Sequence, residues 1–133
     1  MEIDRRNFLQ QLATSAVVVT LVPTGLQGAT GMYGLIVKLT IVPGRRDEMI
    51  RILKESAADM PGCFSYVVAK DAADENVLWV TEVWDSAASH DASLSLPAVK
   101  NAIPQAKGLV TNFEKIAVTN PVWGVGLEAA NSR

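Results

Sequence analysis

Four apolar runs in the chain are interrupted by polar segments and by Pro-Gly pairs. The runs cover residues 33–42, 63–70, 77–84 and 109–119, and they are rich in Val, Ile, Leu, Phe and Tyr. Runs of this length and composition are typical of β-strands, and the polar stretch 71–76 predicts a hairpin between the second and third. Successive side chains of a strand point to opposite faces of the sheet, so the residues of the third run divide into two sets. One face carries Leu78, Val80, Glu82 and Trp84, and the other carries Val77, Trp79, Thr81 and Val83.

The segments between these runs have helical spacing. Over residues 47–60, apolar side chains recur every three or four positions, which predicts an amphipathic helix that ends at Pro61-Gly62. After the third strand, Asp85 or Ser86 is suited to cap a helix with Ala87, His90 and Leu94 on its inward face. Pro97 favours the first turn of a further short helix, which we expect Pro104 to end.

The predicted order of elements is βαββαβ. This order is ferredoxin-like: an α+β fold with an antiparallel four-stranded sheet and the helices on one face. The opposite face is then uncovered and carries large apolar groups such as Trp79. An exposed apolar patch on a small domain usually marks an association surface, so we expect a homodimer with the two sheets packed face to face, a dimeric α/β barrel.

The amino-terminal segment differs from the rest of the chain. Arg5-Arg6 is followed by Phe8-Leu9 and then by an uncharged, mostly apolar stretch over residues 12–26. This layout predicts a secretion signal over residues 1–30 that resembles a twin-arginine signal, although Asp4 and Gln10 depart from that pattern. The stretch is shorter than the ~20 residues of a membrane span, so contact with the membrane is expected only during export. The predicted organisation is a signal at 1–30, one domain at 31–120 and a tail at 121–133, in a periplasmic or secreted protein.

Charge and composition exclude some functions. The chain has twelve Lys and Arg against fourteen Asp and Glu, and it has no long run of basic residues. Nucleic acid is therefore not an expected partner. One cysteine and one histidine do not make a cluster with metal-ligand spacing, so no metal site is predicted. Cys63 is expected to be a small buried core residue.

Particular residues carry a family resemblance. Glu82-Val83-Trp84 is followed by Ser86-Ala87-Ala88 and His90, and the segments Pro43-Gly44-Arg45 and Met60-Pro61-Gly62-Cys63 join strands to helices. With these motifs, residues 32–118 resemble the antibiotic biosynthesis monooxygenase family, whose quinol monooxygenase-like branch forms dimeric α+β barrels.

The resemblance leaves the reaction open. The family includes cofactor-free oxygenases of quinols and polyketides, haem-degrading enzymes and isomerases. Polyketide-oxidising members use an Asn, a Trp and a Tyr where this chain has Val80, Trp84 and His90, so only the Trp is kept. The segment 98–106 also lacks the axial histidine of the haem-degrading members.

The chemistry suggests a role for each candidate. A deprotonated aromatic substrate can supply electrons to O₂ without a cofactor if the protein provides a base and a dry cavity. His90 is the expected base, Trp84 a wall that donates a hydrogen bond, and Glu82 a group that orients His90 or the substrate. The expected function is cofactor-independent oxygenation of a small quinol-like or polyphenolic substrate. The further substrate-binding candidates are Tyr66, Val80, Leu94 and Asn112.

Plainer interpretations stay open at this point. Trp84 is also suited to a purely structural place in the core, and His90 to a partly exposed helix position. Glu82 would need a partner if it points inward. The alternatives to the oxygenase are a dimer of the same fold that binds a small molecule without catalysis, or a haem-degrading or isomerising relative.

Overall fold

The computed structural model describes residues 31–127. The predicted signal at 1–30 and the last part of the tail, 128–133, lie outside the described residues. The elements in chain order are β1 (Tyr33–Ile41), α1 (Arg46–Ser56), β2 (Cys63–Lys70), β3 (Val77–Trp84), α2 (Ala87–Ser93), α3 (Pro97–Lys107) and β4 (Val110–Thr119).

The four strands form one antiparallel sheet in the order β2-β3-β1-β4. This arrangement confirms the predicted ferredoxin-like α+β fold. Strands β2 and β3 have the predicted bounds, while β1 ends and β4 begins one residue inside the predictions. In the centre of the sheet, β1 and β3 pair without a break from Tyr33 opposite Trp84 to Thr40 opposite Val77.

The hydrophobic core lies between the helices and one face of the sheet. Alternate residues of β1, from Leu35 to Ile41, are buried together with Leu78 and Val80 of β3. Met49 and Ile52 of α1 are only 2% exposed and join the same cluster. Burying a side chain of this kind contributes about 1.5 to 3 kcal/mol, so this face holds the helices to the sheet.

Two local features fix the start of α2 next to the end of β3. The Ser86 hydroxyl accepts a hydrogen bond from the Ser89 backbone N–H at 3.1 Å and caps the helix, as predicted for this position. Gly62, between α1 and β2, has a φ of +85°, and a side chain there would lie 2.6 Å from Ser89 Cβ. Glycine at this position therefore allows the loop before β2 to approach α2 closely.

Two predicted helix ends were wrong. The first helix ends at Ser56 and not at Met60, with Ala57 N–H bonded to the Leu53 carbonyl. Pro61 disfavours helical backbone in the residue before it, which is consistent with an earlier end. Pro104 does not end α3, because its exposed ring lies on the solvent side and the helix continues to bury Ala106.

The other face of the sheet lacks a helix among residues 31–127 and is only partly apolar. Val67 is 52% exposed, whereas the Trp79 indole N–H donates to Asp71 Oδ2 at 2.8 Å and the Lys38 ammonium lies over its ring.

No helix within the described residues is long and apolar enough to cross a membrane.

Candidate active site

A cavity of about 130 Å³ lies between the helices and the core face of the sheet, and it is partly open to solvent. Its walls are mostly apolar and come from all of the strands and helices and from the loop residues Met60 and Leu94; α2 contributes His90 and Ser93. Leu35 and Val37 form the floor, and Ala102 and Ile103 of α3 form part of the opposite wall. Apolar cavities of this size hold a single aromatic ring.

Glu82 is the carboxylate of this cavity. It lies on the central strand β3, is 9% exposed, and accepts a hydrogen bond from the Trp84 indole N–H at 3.1 Å. Burial raises the pKa of Glu82 to about 7, and the hydrogen bond from Trp84 opposes part of that rise. The group therefore changes its charge near neutral pH, which is unusual for a carboxylate.

His90 lines the same cavity from α2 and is 5% exposed. Its Nδ1 lies 3.5 Å from Asp91 Oδ1 without a hydrogen bond between them, and its ring stacks at a tilt on Tyr33 with the centroids 5.3 Å apart. Burial lowers the pKa of His90, and the nearby Asp91 carboxylate opposes the fall. At neutral pH the imidazole is therefore mainly uncharged and able to accept a proton.

Trp84 contacts both of these groups but does not line the cavity. Its side chain is fully buried, and its ring meets the His90 ring edge-on with the centroids 5.4 Å apart. Its N–H is already donated to Glu82. This position differs from the predicted wall of the pocket, because Trp84 is the last residue of β3 and packs under α2. It matches the plainer interpretation of Trp84 as a core residue.

Three of the four substrate-binding candidates lie on the cavity, and one does not. Tyr66, Val80 and Leu94 are part of its wall. Asn112 pairs with Thr40, whose neighbours Leu39 and Ile41 point into the core, so Asn112 lies on the opposite face of the sheet. Burial and the charge of Glu82 raise the pKa of the Tyr66 hydroxyl, which therefore stays protonated.

Sequence reasoning missed two cavity residues on β4. Phe113 pairs with Leu39 and Lys115 with Val37, so both side chains are on the core face of this edge strand. Phe113 was the feature of the sequence that could have identified them, because a large apolar residue in a strand usually lies on the buried face. Lys115, two positions later in the strand, is then expected on the same face. Bulges near Thr111 and Ile116 interrupt the alternation and conceal this pattern.

Cys63 is half-buried, and its thiol donates to the Ser65 carbonyl at 3.5 Å. Burial and the Glu82 charge raise the pKa of Cys63 to about 11, so the thiol is a weak nucleophile at neutral pH. Within residues 31–127, no three His, Cys, Asp or Glu side chains are placed together as a metal site. The arrangement offers a proton acceptor, a carboxyl that titrates near pH 7 and a largely apolar space beside them.

Comparison with known proteins defines the class. Residues 32–105 match the family model described as antibiotic biosynthesis monooxygenase, and the chain belongs to this family. None of the curated proteins compared with the chain matches it.

Solved structures agree with this membership. A protein from Chloroflexus aurantiacus J-10-fl, assigned as an antibiotic biosynthesis monooxygenase, is 53% identical, with a TM-score of 0.68 over 70% of this chain and 95% of that one. A protein with the same assignment from Caulobacter crescentus CB15 is 21% identical, with a TM-score of 0.62 over 71% and 92% of the two chains. One from Nitrosomonas europaea is 10% identical, with a TM-score of 0.65 over 71% and 93%. The last two show the shared fold alone.

Proposed function

We propose that the protein is a cofactor-independent monooxygenase that acts on a small quinol-like or polyphenolic substrate. The observation that carries the proposal is that two buried titratable groups, His90 and Glu82, line the same largely apolar cavity. Membership in the antibiotic biosynthesis monooxygenase family supports the reaction class. Burial of both groups also supports it, since a water-poor site protects a reactive aromatic anion from side reactions.

The proposed reaction needs no reductant besides the substrate. A hydroquinone loses the proton of one hydroxyl, and the phenolate passes one electron to O₂. Superoxide and the semiquinone then combine at a ring carbon to form a C–O bond. The resulting hydroperoxide loses the proton on that carbon, its O–O bond breaks, and water leaves. One oxygen atom of O₂ ends in a hydroxyquinone and the other in water.

His90 and Glu82 handle the protons in this scheme. Neutral His90 takes the proton of the phenolic hydroxyl and later returns it to the departing hydroxide. Protonated Glu82 donates to the peroxide oxygen, and its carboxylate takes the ring proton as the O–O bond breaks. Both residues finish in their starting states. Trp84 is a positioning residue here, because its N–H holds one Glu82 oxygen and its ring contacts His90.

Oxygen uptake with a panel of mono- and bicyclic quinols under air tests the proposal. Under ¹⁸O₂, the product should carry one labelled atom. We expect His90→Ala to lower kcat by about 100-fold or more, the usual contribution of a general base. Glu75→Gln, a change at an exposed residue of the β2–β3 loop, is the control and should keep full activity.

Quinol binding without oxygen uptake above the blank for any substrate would refute the oxygenase. That result would favour the second candidate, a small-molecule-binding protein of the same fold. The position of Trp84 is one observation on the side of this candidate, because its ring and N–H are withdrawn from the cavity. A purified protein that retains haem would contradict the cofactor-free reaction.

We also propose that the protein works as a homodimer outside the cytoplasm. The helix-free face of the sheet, with Val67 half exposed and Trp79 beside it, supports pairing with a second copy. Sedimentation should give twice the mass of the mature chain, and a monomer at micromolar concentration would contradict this.

The proposal that the protein is exported is based on Arg5-Arg6 and the apolar segment after it. Changing both arginines to Lys should abolish export of the full chain.

A further inference from the structure

Lys115 is the cationic side chain of the cavity wall. It lies on the edge strand β4, opposite Val37, and is exposed to solvent although it borders the cavity. Lys115 is therefore a lining residue at the solvent-exposed border of a largely apolar cavity. The ion pairs formed within residues 31–127 involve Arg45, Arg51, Lys70 and His90, and none of them includes Lys115.

The charge of Lys115 acts on the cavity. Burial is the main cause that lowers the pKa of His90, and the positive charge of Lys115 adds to the fall. Glu82 and Lys115 lie on strands β3 and β4, separated by β1, and their rows differ by two positions. Their backbones are therefore about 10 Å apart across the strands and about 7 Å apart along them. This backbone spacing is comparable to the length of one aromatic ring with a short substituent.

From this geometry we infer that the cavity selects aromatic ligands bearing an anionic substituent, with Lys115 at the open side as the residue that pairs with it. The inference deepens the proposed function and rests on it for the identity of the ligand as a substrate. The ring occupies the apolar part next to His90 and Glu82, and the anionic group stays at the mouth, where water still reaches it. A carboxylate at that end avoids the cost of burying a charge in the apolar interior.

The alternative for Lys115 is a solvated surface lysine that borders the cavity by chance. The two cases differ in binding. If Lys115 pairs with the ligand, an anionic ligand should bind more tightly than a neutral ligand of the same shape, and added salt should reduce the difference. If Lys115 is only solvated, both ligands should bind alike at any salt concentration.

A matched pair of probes separates these cases. The anionic probe is 2,5-dihydroxyphenylacetate, and the neutral probe is 2-(2,5-dihydroxyphenyl)ethanol, which has the same ring and nearly the same side chain. Binding is measured by calorimetry under argon at pH 7.5, so that no turnover occurs. We expect the anionic probe to bind about fivefold more tightly to the unchanged protein, the effect of a partly exposed ion pair.

Two variants of Lys115 and one control variant of Lys100 complete the experiment. Lys115→Gln should abolish the preference, Lys115→Arg should retain it, and Lys100→Gln, an equal charge change at an exposed position of α3 outside the cavity wall, should leave it intact. Equal binding of the two probes to the unchanged protein would overturn the inference. So would a preference that survives in Lys115→Gln.

The outcome is independent of catalysis. A preference that depends on Lys115, without oxygen uptake under air for either probe or for any quinol of the panel, would refute the oxygenase and support binding of an anionic ligand. If both probes give oxygen uptake with equal KM, and Lys115→Gln leaves these KM values unchanged, the oxygenase is supported and the inferred preference for an anionic ligand is refuted.

Discussion

Replacing Glu82 by Gln should make the protein more stable above neutral pH. The usual pKa of a glutamate is 4.5, and burial raises that of Glu82 to about 7. Between these two values, the unfolded chain loses the proton while the folded chain keeps it. The free energy of unfolding therefore falls as pH rises through this window, and it is unaffected by this group below pH 4.5. At about 1.4 kcal/mol per pH unit, the loss amounts to about 3 kcal/mol.

The amide suits the site because it removes the charge and keeps the shape. Gln retains an oxygen that can accept the Trp84 N–H, so the hydrogen bond at 3.1 Å can survive the change. We expect Glu82→Gln to be about as stable as the unchanged protein at pH 4.5 and about 1 to 3 kcal/mol more stable at pH 8. The lower end of this range is below the full value because the buried NH₂ group of the glutamine also needs hydrogen-bond partners.

Urea unfolding at a series of pH values from 4.5 to 9, at one protein concentration, measures this difference. His90 acts in the opposite direction, since its lowered pKa makes stability rise with pH up to about 6.5. The test therefore uses the difference between the two proteins at each pH, where the contribution of His90 largely cancels. Glu75→Gln, on the exposed hairpin, serves as control and should show no pH-dependent difference. A flat difference for Glu82→Gln would refute the reasoning.

Two further substitutions and one labelling experiment test the surroundings of single residues. Trp84→Phe removes the N–H that Glu82 accepts and leaves a small void, so urea unfolding should show a loss of about 2 to 4 kcal/mol; an unchanged midpoint would contradict the buried hydrogen bond. Ser86→Ala removes the cap that holds the Ser89 N–H and should cost about 1 kcal/mol in the same assay, with Ser86→Thr as the milder control. The thiol of Cys63, with its pKa raised to about 11, should react with iodoacetamide at pH 8 far more slowly in the folded protein than in urea, and equal rates would show that it is not shielded.

The fold was largely predictable because it depends on local patterns. The alternation Leu78, Val80, Glu82, Trp84 assigned the core face of β3 correctly, and Ser86 was correctly among the two cap candidates. Pro104 was misjudged because a proline ends a helix only when its ring or its missing N–H cannot be accommodated, and α3 places it on the solvent side. That outcome depends on the side from which the rest of the protein packs.

The sequence by itself determined the order of strands and helices, the two faces of β3 and the presence of a lone His and a Glu on inward-facing positions. These follow from periodicity, which is a property of the local backbone. Only the tertiary structure decided that Trp84 contacts His90 without reaching the cavity, that Asn112 faces away and that Lys115 borders the cavity mouth. The reason is that cavity walls depend on strand register, bulges and the docking of helices, and these are set by contacts between residues distant in the chain.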